Sequence, residues 1–550
     1  MAQLFNLFPY KFDKKYSKPV AYFSMEFAIE QPLKIYSGGL GFLAGSHMRS
    51  AYELKQNMIG IGILWKYGYY DQKPNKDGTL AVDYVQKDYS FLTDTGILFT
   101  ISIHNHPVHV KVWLLKPEVF QSAPVFLLST DVAENDYLAQ TICHRLYDSH
   151  ESARIAQSIL LGVGGAKLMD ELERETEVYH MNEGHALPLC FYLLKKYNDL
   201  NEVKKRVVFT THTPEKAGNE EHSVRTLEVL GFFQEADEKT MHKITAPDEH
   251  TLNYTLAALR MARKANGVSQ LHGKVSQKMW KEFDGICEIT AITNAQNHKY
   301  WADQDLKKAI DSDHDKMLQK RKKELKQKLF SIVANQTGKL LDPNVLTIVW
   351  ARRFAAYKRA NLLLSDFARF EKMVTNKEYP VQVIWAGKPY PEDDGAIAIF
   401  NDIYWKTKSL PSCAILTGYE LWLSGYLKRG SDVWLNNPRL YHEASGTSGM
   451  TAAMNGSVNV SIPDGWVPEF ARHGKNCFII QTANDQLPVD ERDRIEANNL
   501  YDLLEKEVIP TYYKSPAKWV KLVKTAAKEV VPQFDSGRMA DEYYEKMYSD

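Results

Sequence analysis

One pattern recurs along this chain and limits what it can fold into. A short apolar run gives way to a turn of small or polar residues, and a stretch of helical periodicity follows. Val20 to Phe27, Met58 to Trp65, Pro124 to Thr130, Glu177 to Asn182, Arg206 to Thr211 and Cys287 to Asn294 are such runs in the first half. Val345 to Trp350, Val381 to Gly387, Ala414 to Thr417, Asp432 to Leu435 and Val458 to Ile462 continue the series in the second. Continuous apolar runs suit strands covered on both faces, and their alternation with helices predicts an α/β protein built on parallel sheets. Ile97 to Val112 alternates instead and predicts hairpins. Helices are expected over Ser46 to Gln56, Arg154 to Glu173, Ala186 to Tyr197, Leu252 to Val268 and Leu421 to Lys428, with three more in the tail. Asp315 to Gln336 is a basic helical stretch whose Leu318, Leu325, Leu329 and Ile332 make a packed stripe, leaving its lysines as a solvated face.

Composition removes several function classes. The chain has 550 residues, 68 of them basic and 68 acidic, so no net charge recommends nucleic acid as a partner. Its five cysteines, Cys143, Cys190, Cys287, Cys413 and Cys477, are far apart and odd in number; they suggest neither a metal site nor a disulfide framework. No apolar run has the length of a membrane span, and Met1 to Lys15 lacks the apolar core of a signal peptide. A cytoplasmic location is therefore expected.

Candidate chemistry lies where the predicted strands end. His442-Glu443-Ala444-Ser445-Gly446-Thr447-Ser448-Gly449 joins a strand to a short helix, and its small polar residues can aim several backbone N–H groups at an anion. Glu443 at its edge is an acceptor suited to sugar hydroxyls. The same residue types also make ordinary helix caps. Arg352, Arg353 and Lys358 follow another strand and can converge on a phosphate, or can simply charge a loop. Tyr36-Ser37-Gly38-Gly39-Leu40-Gly41 reads as a glycine loop opening a helix, suited either to an anion or to tight packing. His185, at a helix start, can donate to a substrate hydroxyl or serve as a cap. His212 ends the strand Arg206 to Thr211.

These segments, in this order over nearly the whole chain, resemble the α-glucan (glycogen, starch, maltodextrin) phosphorylases in their short bacterial form. Tyr36-Ser-Gly-Gly-Leu-Gly, Tyr179-His-Met-Asn-Glu-Gly-His, Phe209-Thr-Thr-His-Thr-Pro, Asn266-Gly-Val-Ser-Gln-Leu-His-Gly, Ala351-Arg-Arg-Phe-Ala-Ala-Tyr-Lys-Arg, Asp432-Val-Trp-Leu-Asn-Asn-Pro and Glu443-Ala-Ser-Gly-Thr-Ser-Gly-Met carry the resemblance. It implies a GT-B fold: Rossmann-like domains over residues 1–300 and 301–520, facing across a cleft, with helices of 521–550 crossing back. It implies retaining transfer of glucose between an α-1,4-glucan and phosphate, with pyridoxal phosphate beneath the sugar. By the same resemblance His185, Arg353, Lys358 and Glu443 are the catalytic set. Gly39, Leu40, His185, His212, Asn294, Glu443, Ser445 and Gly446 contact sugar. Arg352, Arg353 and Lys358 hold phosphate, with Thr447 and Ser448 near the cofactor phosphate. No metal is implied, and a homodimer is allowed.

Two positions depart from the family. The lysine that binds pyridoxal directly follows the methionine of the Glu-Ala-Ser-Gly motif; here Thr451 stands there and cannot form an imine. Lys428 and Lys475 are near in sequence, and neither matches. The second departure is Ala295-Gln296, where the family has glycine and an apolar residue. No covalent pyridoxal phosphate is therefore expected. Three readings follow: a phosphorylase holding the cofactor, or another anion, without a covalent bond; a transferase using nucleotide-glucose; and a catalytically reduced glucan-binding or regulatory subunit.

Overall fold

The structure, a computed structural model, describes residues 7–245 and 250–549. Met1 to Lys15, read from the sequence as lacking the apolar core of a signal peptide, falls partly outside them. The chain groups into two units: one holds the chain up to Tyr70 with Tyr84–Asn294 and Ser536–Asp550, and the other holds Asp71–Asp83 with Ala295–Asp535.

The first unit is organised on a nine-stranded sheet. In chain order its strands are β1 (Val20–Phe23), β2 (Met58–Ile63), β3 (Thr93–Ile103), β4 (His106–Leu115), β5 (Val125–Ser129), β6 (Val178–Asn182), β7 (Val207–Thr210), β8 (Lys264–Gly267) and β9 (Glu288–Ala291). Their spatial order is β9-β8-β7-β6-β1-β2-β5-β4-β3. All neighbours are parallel except the hairpin β3–β4 and its pairing with β5. Every residue of β1, β2, β5, β6 and β7 is buried, which is why these strands appear in the sequence as unbroken apolar runs.

Two expectations need correction here. The helix placed over Ser46 to Gln56 is α1, Gly39–Glu53, so the glycine loop is itself helical from Gly39. A Cβ at Gly45 would lie 1.9 Å from the carbonyl oxygen of Ala28 and one at Gly41 2.6 Å from Tyr36 Cβ; these two glycines let the helix lie close against the segment before it, a role local propensity hides. The helix placed over Leu252 to Val268 covers only Tyr254–Met261, and its last part is the buried strand β8. Asn266 interrupts the apolar pattern of that strand because its side chain is fully used, accepting from Thr210 Oγ1 at 2.7 Å and donating to Tyr543 Oη at 3.1 Å.

The second unit carries six parallel strands: β10 (Leu346–Ala351), β11 (Val381–Ala386), β12 (Cys413–Leu416), β13 (Val433–Asn436), β14 (Val458–Ser461) and β15 (Cys477–Ile479). Their order is β12-β11-β10-β13-β14-β15. Trp350, Trp385 and Trp434 are fully buried in them. The hairpin Asp71–Asp83 belongs to this unit: Gln72 donates to the carbonyl of Gly387 at 2.8 Å and accepts from the Gly418 N–H at 2.9 Å, tying the turns after β11 and β12 together.

The basic helix α2 (Asp315–Thr337) buries Leu318, Leu325 and Leu329 as expected, but not all of its lysines face solvent. Lys322 Nζ is buried and donates to the carbonyls of Arg429 at 2.9 Å and Asn455 at 2.8 Å. Burial lowers its pKa to about 7, against a partly offsetting pull from Asp432. Lys326 pairs with buried Asp432 and donates to the Val345 carbonyl at 2.7 Å, while Asp432 also accepts the Thr347 N–H at 2.9 Å. Charge counting cannot separate a lysine that closes off helix-end carbonyls from one that solvates a surface.

Removing one member of a buried ion pair strands the other. Lys326→Met should therefore lower stability by about 3–5 kcal/mol, read as a drop in the urea midpoint. Adding Asp432→Asn to it should restore much of the loss, because no carboxylate then remains uncompensated.

Candidate functional site

In an open parallel sheet, ligands bind beyond the carboxyl ends of the strands at the point where the strand order reverses. The second unit reverses between β10 and β13. Arg352 and Lys358 follow β10, and Glu443 lies on the turn after β13, so the topology alone brings them to one place. Arg352 Nη2 lies 2.6 Å from Glu443 Oε2, and Lys358 Nζ lies 3.0 Å from Oε1 and 3.3 Å from Oε2. The Glu443 side chain is only 11% exposed. Burial alone would raise its pKa, but Arg352 and Lys358, with a smaller push from Arg353, lower it to about 2. Arg353 itself is exposed.

The turn that carries Glu443 is fixed from below by Asp464, which the motif reading did not single out. Its Oδ2 accepts the Glu443 N–H and its Oδ1 the Gly465 N–H, each at 2.9 Å. Burial pushes the Asp464 carboxyl up to about 7, and the neighbouring Glu443 charge adds to that shift. An Asp-Gly turn right after the apolar run Val458 to Ile462 was the available signal. Gly446 takes φ +81°, open to glycine, and a Cβ there would sit 3.1 Å from Glu443 Cγ. Ser445 donates no side-chain hydrogen bond: its buried Oγ, like the buried Nε and Nη1 of Arg352, has no partner among the described residues. Donors left unpaired in this way are available to a bound group.

The short helix expected after this turn is α4, Ser448–Met454, following α3, Leu421–Gly430. Thr447 is its N-cap and makes no side-chain cap bond. The Ser448 hydroxyl accepts from Trp434 Nε1 at 3.3 Å, which turns it toward the core. Thr451 is fully buried and donates to the Ser448 carbonyl at 3.0 Å.

The first unit reverses between β1 and β6. Beyond β1, Glu26 binds the segment leading into α1: its Oε2 accepts the N–H groups of Ser37 at 2.7 Å and Gly38 at 3.1 Å, and its Oε1 accepts Ser37 Oγ at 3.0 Å and Tyr147 Oη at 2.7 Å. The N–H groups of Gly39 and Leu40 belong to the first turn of α1, where no helix carbonyl precedes them. Beyond β6, Glu183 has φ +77° and ψ 168°, a conformation costly for a residue with a Cβ. Its carboxylate accepts the His212 N–H at 2.7 Å and the Gly184 N–H at 3.1 Å, joining the ends of β6 and β7. Burial raises its pKa, with His185 acting in the opposite direction.

Hydrogen bonding also fixes the His212 ring. The Ser24 hydroxyl donates to the Glu26 carbonyl at 2.9 Å, so it accepts from Asn182 Nδ2 at 3.1 Å; Asn182 Oδ1 then faces His212 Nε2 at 2.7 Å. Nε2 therefore carries the proton, and Nδ1 is the acceptor. Burial lowers the His212 pKa to about 3, so the ring stays neutral. His185 is half-buried, with its Nδ1 unpartnered among the described residues and its ring 5.6 Å from that of Tyr147. Asn294 follows β9, three strands away from β6, and its buried Oδ1 is likewise unpartnered. All five cysteines are free, and no group of potential metal ligands occurs among the described residues. No described helix is long and apolar enough to cross a membrane.

A family model described as carbohydrate phosphorylase matches residues 291–507, which contain the whole Arg352–Lys358–Glu443 cluster. An uncharacterized protein of Methanocaldococcus jannaschii is 46% identical over 96% of this chain and 100% of its own length. The maltodextrin phosphorylase of Thermococcus litoralis is 33% identical over 97% of this chain and 71% of its own. The glycogen phosphorylase of Aquifex aeolicus is 31% identical over 98% of this chain and 87% of its own. Similarity at this level runs through both switch points, and the chain belongs to the carbohydrate phosphorylase family.

Proposed function

We propose that the protein is a retaining glycosyltransferase of the α-glucan phosphorylase type, with the two-domain GT-B arrangement, moving glucose between an α-1,4-glucan end and phosphate. The observation that carries this reading is the convergence of Arg352, Lys358 and Glu443 at the switch point of the second unit. Glu443 stays ionised near neutral pH and so is only an acceptor, suited to glucose hydroxyls and not to proton transfer. The two cations, with the spare donors of Arg352 and Ser445, suit the phosphate that leaves the anomeric carbon, and such charge stabilisation is often the largest catalytic contribution. His212, neutral and accepting at Nδ1, suits a sugar hydroxyl, as does His185.

The unpaired Nε and Nη1 of Arg352 and Oγ of Ser445 also fit the phosphate end of pyridoxal phosphate; these two residues would hold that group, with Lys358 left to the substrate phosphate. When bound, it would supply a phosphate able to exchange a proton with the substrate phosphate. No bond to it can form at residue 451.

Turnover tests the reading directly. Glucose 1-phosphate and maltodextrin should release inorganic phosphate, and Glu443→Gln should lower kcat/KM by roughly 10–100-fold, the loss of about 1.5–3 kcal/mol from a hydrogen bond to a charged group. Unchanged kinetics in that variant would place the sugar site elsewhere. Thr451 at the lysine position favours the second reading, a nucleotide-glucose donor. In that case ADP-glucose or UDP-glucose at a hundred times its dissociation constant should stabilise the protein by about 2.7 kcal/mol, seen as a rise in Tm. Silence in both assays would leave a glucan-binding protein without turnover.

Protonation at the turn has its own signature. Glu443, depressed to about 2, contributes stability that is present above the usual glutamate pKa and lost as pH falls through about 2. Asp464 acts with the opposite sign: its contribution is full below 3.8 and is lost as pH rises through about 7. A rise from 3.8 to about 7 corresponds to an effect on the order of 4 kcal/mol. Because buried neutral histidines such as His212 act in the opposite direction, the Asp464 contribution is read as a difference: between pH 4 and 8 the wild type should lose stability relative to Asp464→Asn as pH rises, measured as the difference in denaturation midpoints.

A further inference from the structure

Arg359 stands directly after Lys358, yet its guanidinium is turned away from any anion held there. It is 3% exposed, and all three of its nitrogens are committed. Nε donates to the Asn437 carbonyl and Nη2 to the Pro438 carbonyl, each at 2.8 Å. Nη1 lies 2.9 Å from Asp493 Oδ1 and 2.6 Å from Glu496 Oε2. In return Asn437 Nδ2 donates to the Arg359 carbonyl at 2.9 Å, and the Arg439 N–H donates to the Tyr357 carbonyl at 2.8 Å. The loop after β10 and the turn after β13 are thus laced together beside Lys358 and four residues short of Glu443.

Asp493 closes this lacing from a third segment, the helix α5 (Val489–Leu503). Its Oδ1 accepts from Arg359 Nη1 at 2.9 Å and from Arg439 Nε at 3.2 Å, and its Oδ2 accepts from Arg439 Nη2 at 2.7 Å. One carboxylate therefore holds an arginine from each loop. Burial works against its ionisation, but Arg439 and Arg359 keep the carboxyl below the usual aspartate range. Two guanidinium groups face two carboxylates, Asp493 and Glu496, so the cluster is balanced. Without the Asp493 charge, the two arginines would push their loops apart.

We propose that Asp493 is a positioning residue: by joining Arg359 to Arg439 it sets the separation of Lys358 and Glu443, and with it the grip on a hexose 1-phosphate. Such a ligand carries hydroxyls and phosphate on one frame and needs both loops at a fixed spacing. Inorganic phosphate needs only the cations that follow β10. The inference rests on the proposed reading of the cluster as a sugar and phosphate site, but not on turnover.

The test is equilibrium binding to the full chain by titration calorimetry, with glucose 1-phosphate and inorganic phosphate as the two probes. Asp493→Asn keeps the shape of the side chain and removes its charge. It should weaken glucose 1-phosphate about tenfold, the worth of one charged hydrogen bond, and leave inorganic phosphate within about twofold. Equal weakening of both probes, as a general loosening of the fold would give, overturns the inference, and so does an unchanged affinity for glucose 1-phosphate. Should that variant not fold, Arg439→Gln breaks the same bridge at its other end and must show the same split between the probes. A wild type that does not bind glucose 1-phosphate removes the proposed reading of the cluster itself, whereas a wild type that binds both probes, with no split in the variants, removes this inference alone.

Discussion

A carboxylate wedged between an arginine and a lysine at the end of a parallel sheet stays charged only if everything around it is built to keep it so. Taking Glu443 out of water opposes its ionisation, and the proximity of Arg352 at 2.6 Å and Lys358 at 3.0 Å reverses the outcome. That arrangement needs two segments far apart in sequence to meet: the loop after β10, which carries Arg352 and Lys358, and the turn after β13 that carries Glu443. Strand order supplies the meeting place. Asp464 supplies the angle, since its two N–H acceptances set how the turn approaches the cations.

The rest of the second unit holds these pieces still. Lys322 closes off the carbonyls of Arg429 and Asn455, which end α3 and follow α4, so one buried amine joins both helices to α2. Lys326 and Asp432 fix α2 to the start of β13 and, through Thr347, to β10. Gln72 clamps the turns after β11 and β12 from outside the contiguous chain of the unit. Buried polar side chains, and not the aliphatic core alone, thus determine where the strand ends lie.

Much of this was legible in the sequence. Strand ends are predictable because fully buried parallel strands spell themselves as apolar runs, and topology gathers residues beyond those ends within each unit: His185 and His212 in the first, Arg352, Lys358 and Glu443 in the second. What escaped notice shares one cause. Glu26, Glu183 and Asp464 act by accepting backbone N–H groups from distant segments, and composition or spacing carries no trace of a partner that only folding brings near. The burial of Lys322 and Lys326 was hidden because a lysine's letter does not reveal whether its amine reaches water or a carbonyl. Asn266 concealed a strand, and Gly39 to Gly45 concealed a helix turn, because tertiary packing there outweighs local preference.

The two switch points differ in electrical character, and the difference follows from burial. In the first unit, burial neutralises: His212 is kept uncharged, and the Glu183 carboxyl is pushed toward its neutral form. In the second, closely packed opposite charges outweigh burial. The strained backbone at Glu183 belongs to the same logic, because its φ of +77° aims the carboxylate at the His212 N–H and lets one residue set the ends of both β6 and β7. Strain of that kind persists only where neighbouring bonds over-determine it, and here three acceptances by one carboxylate, from Gly184, His212 and Thr213, do so.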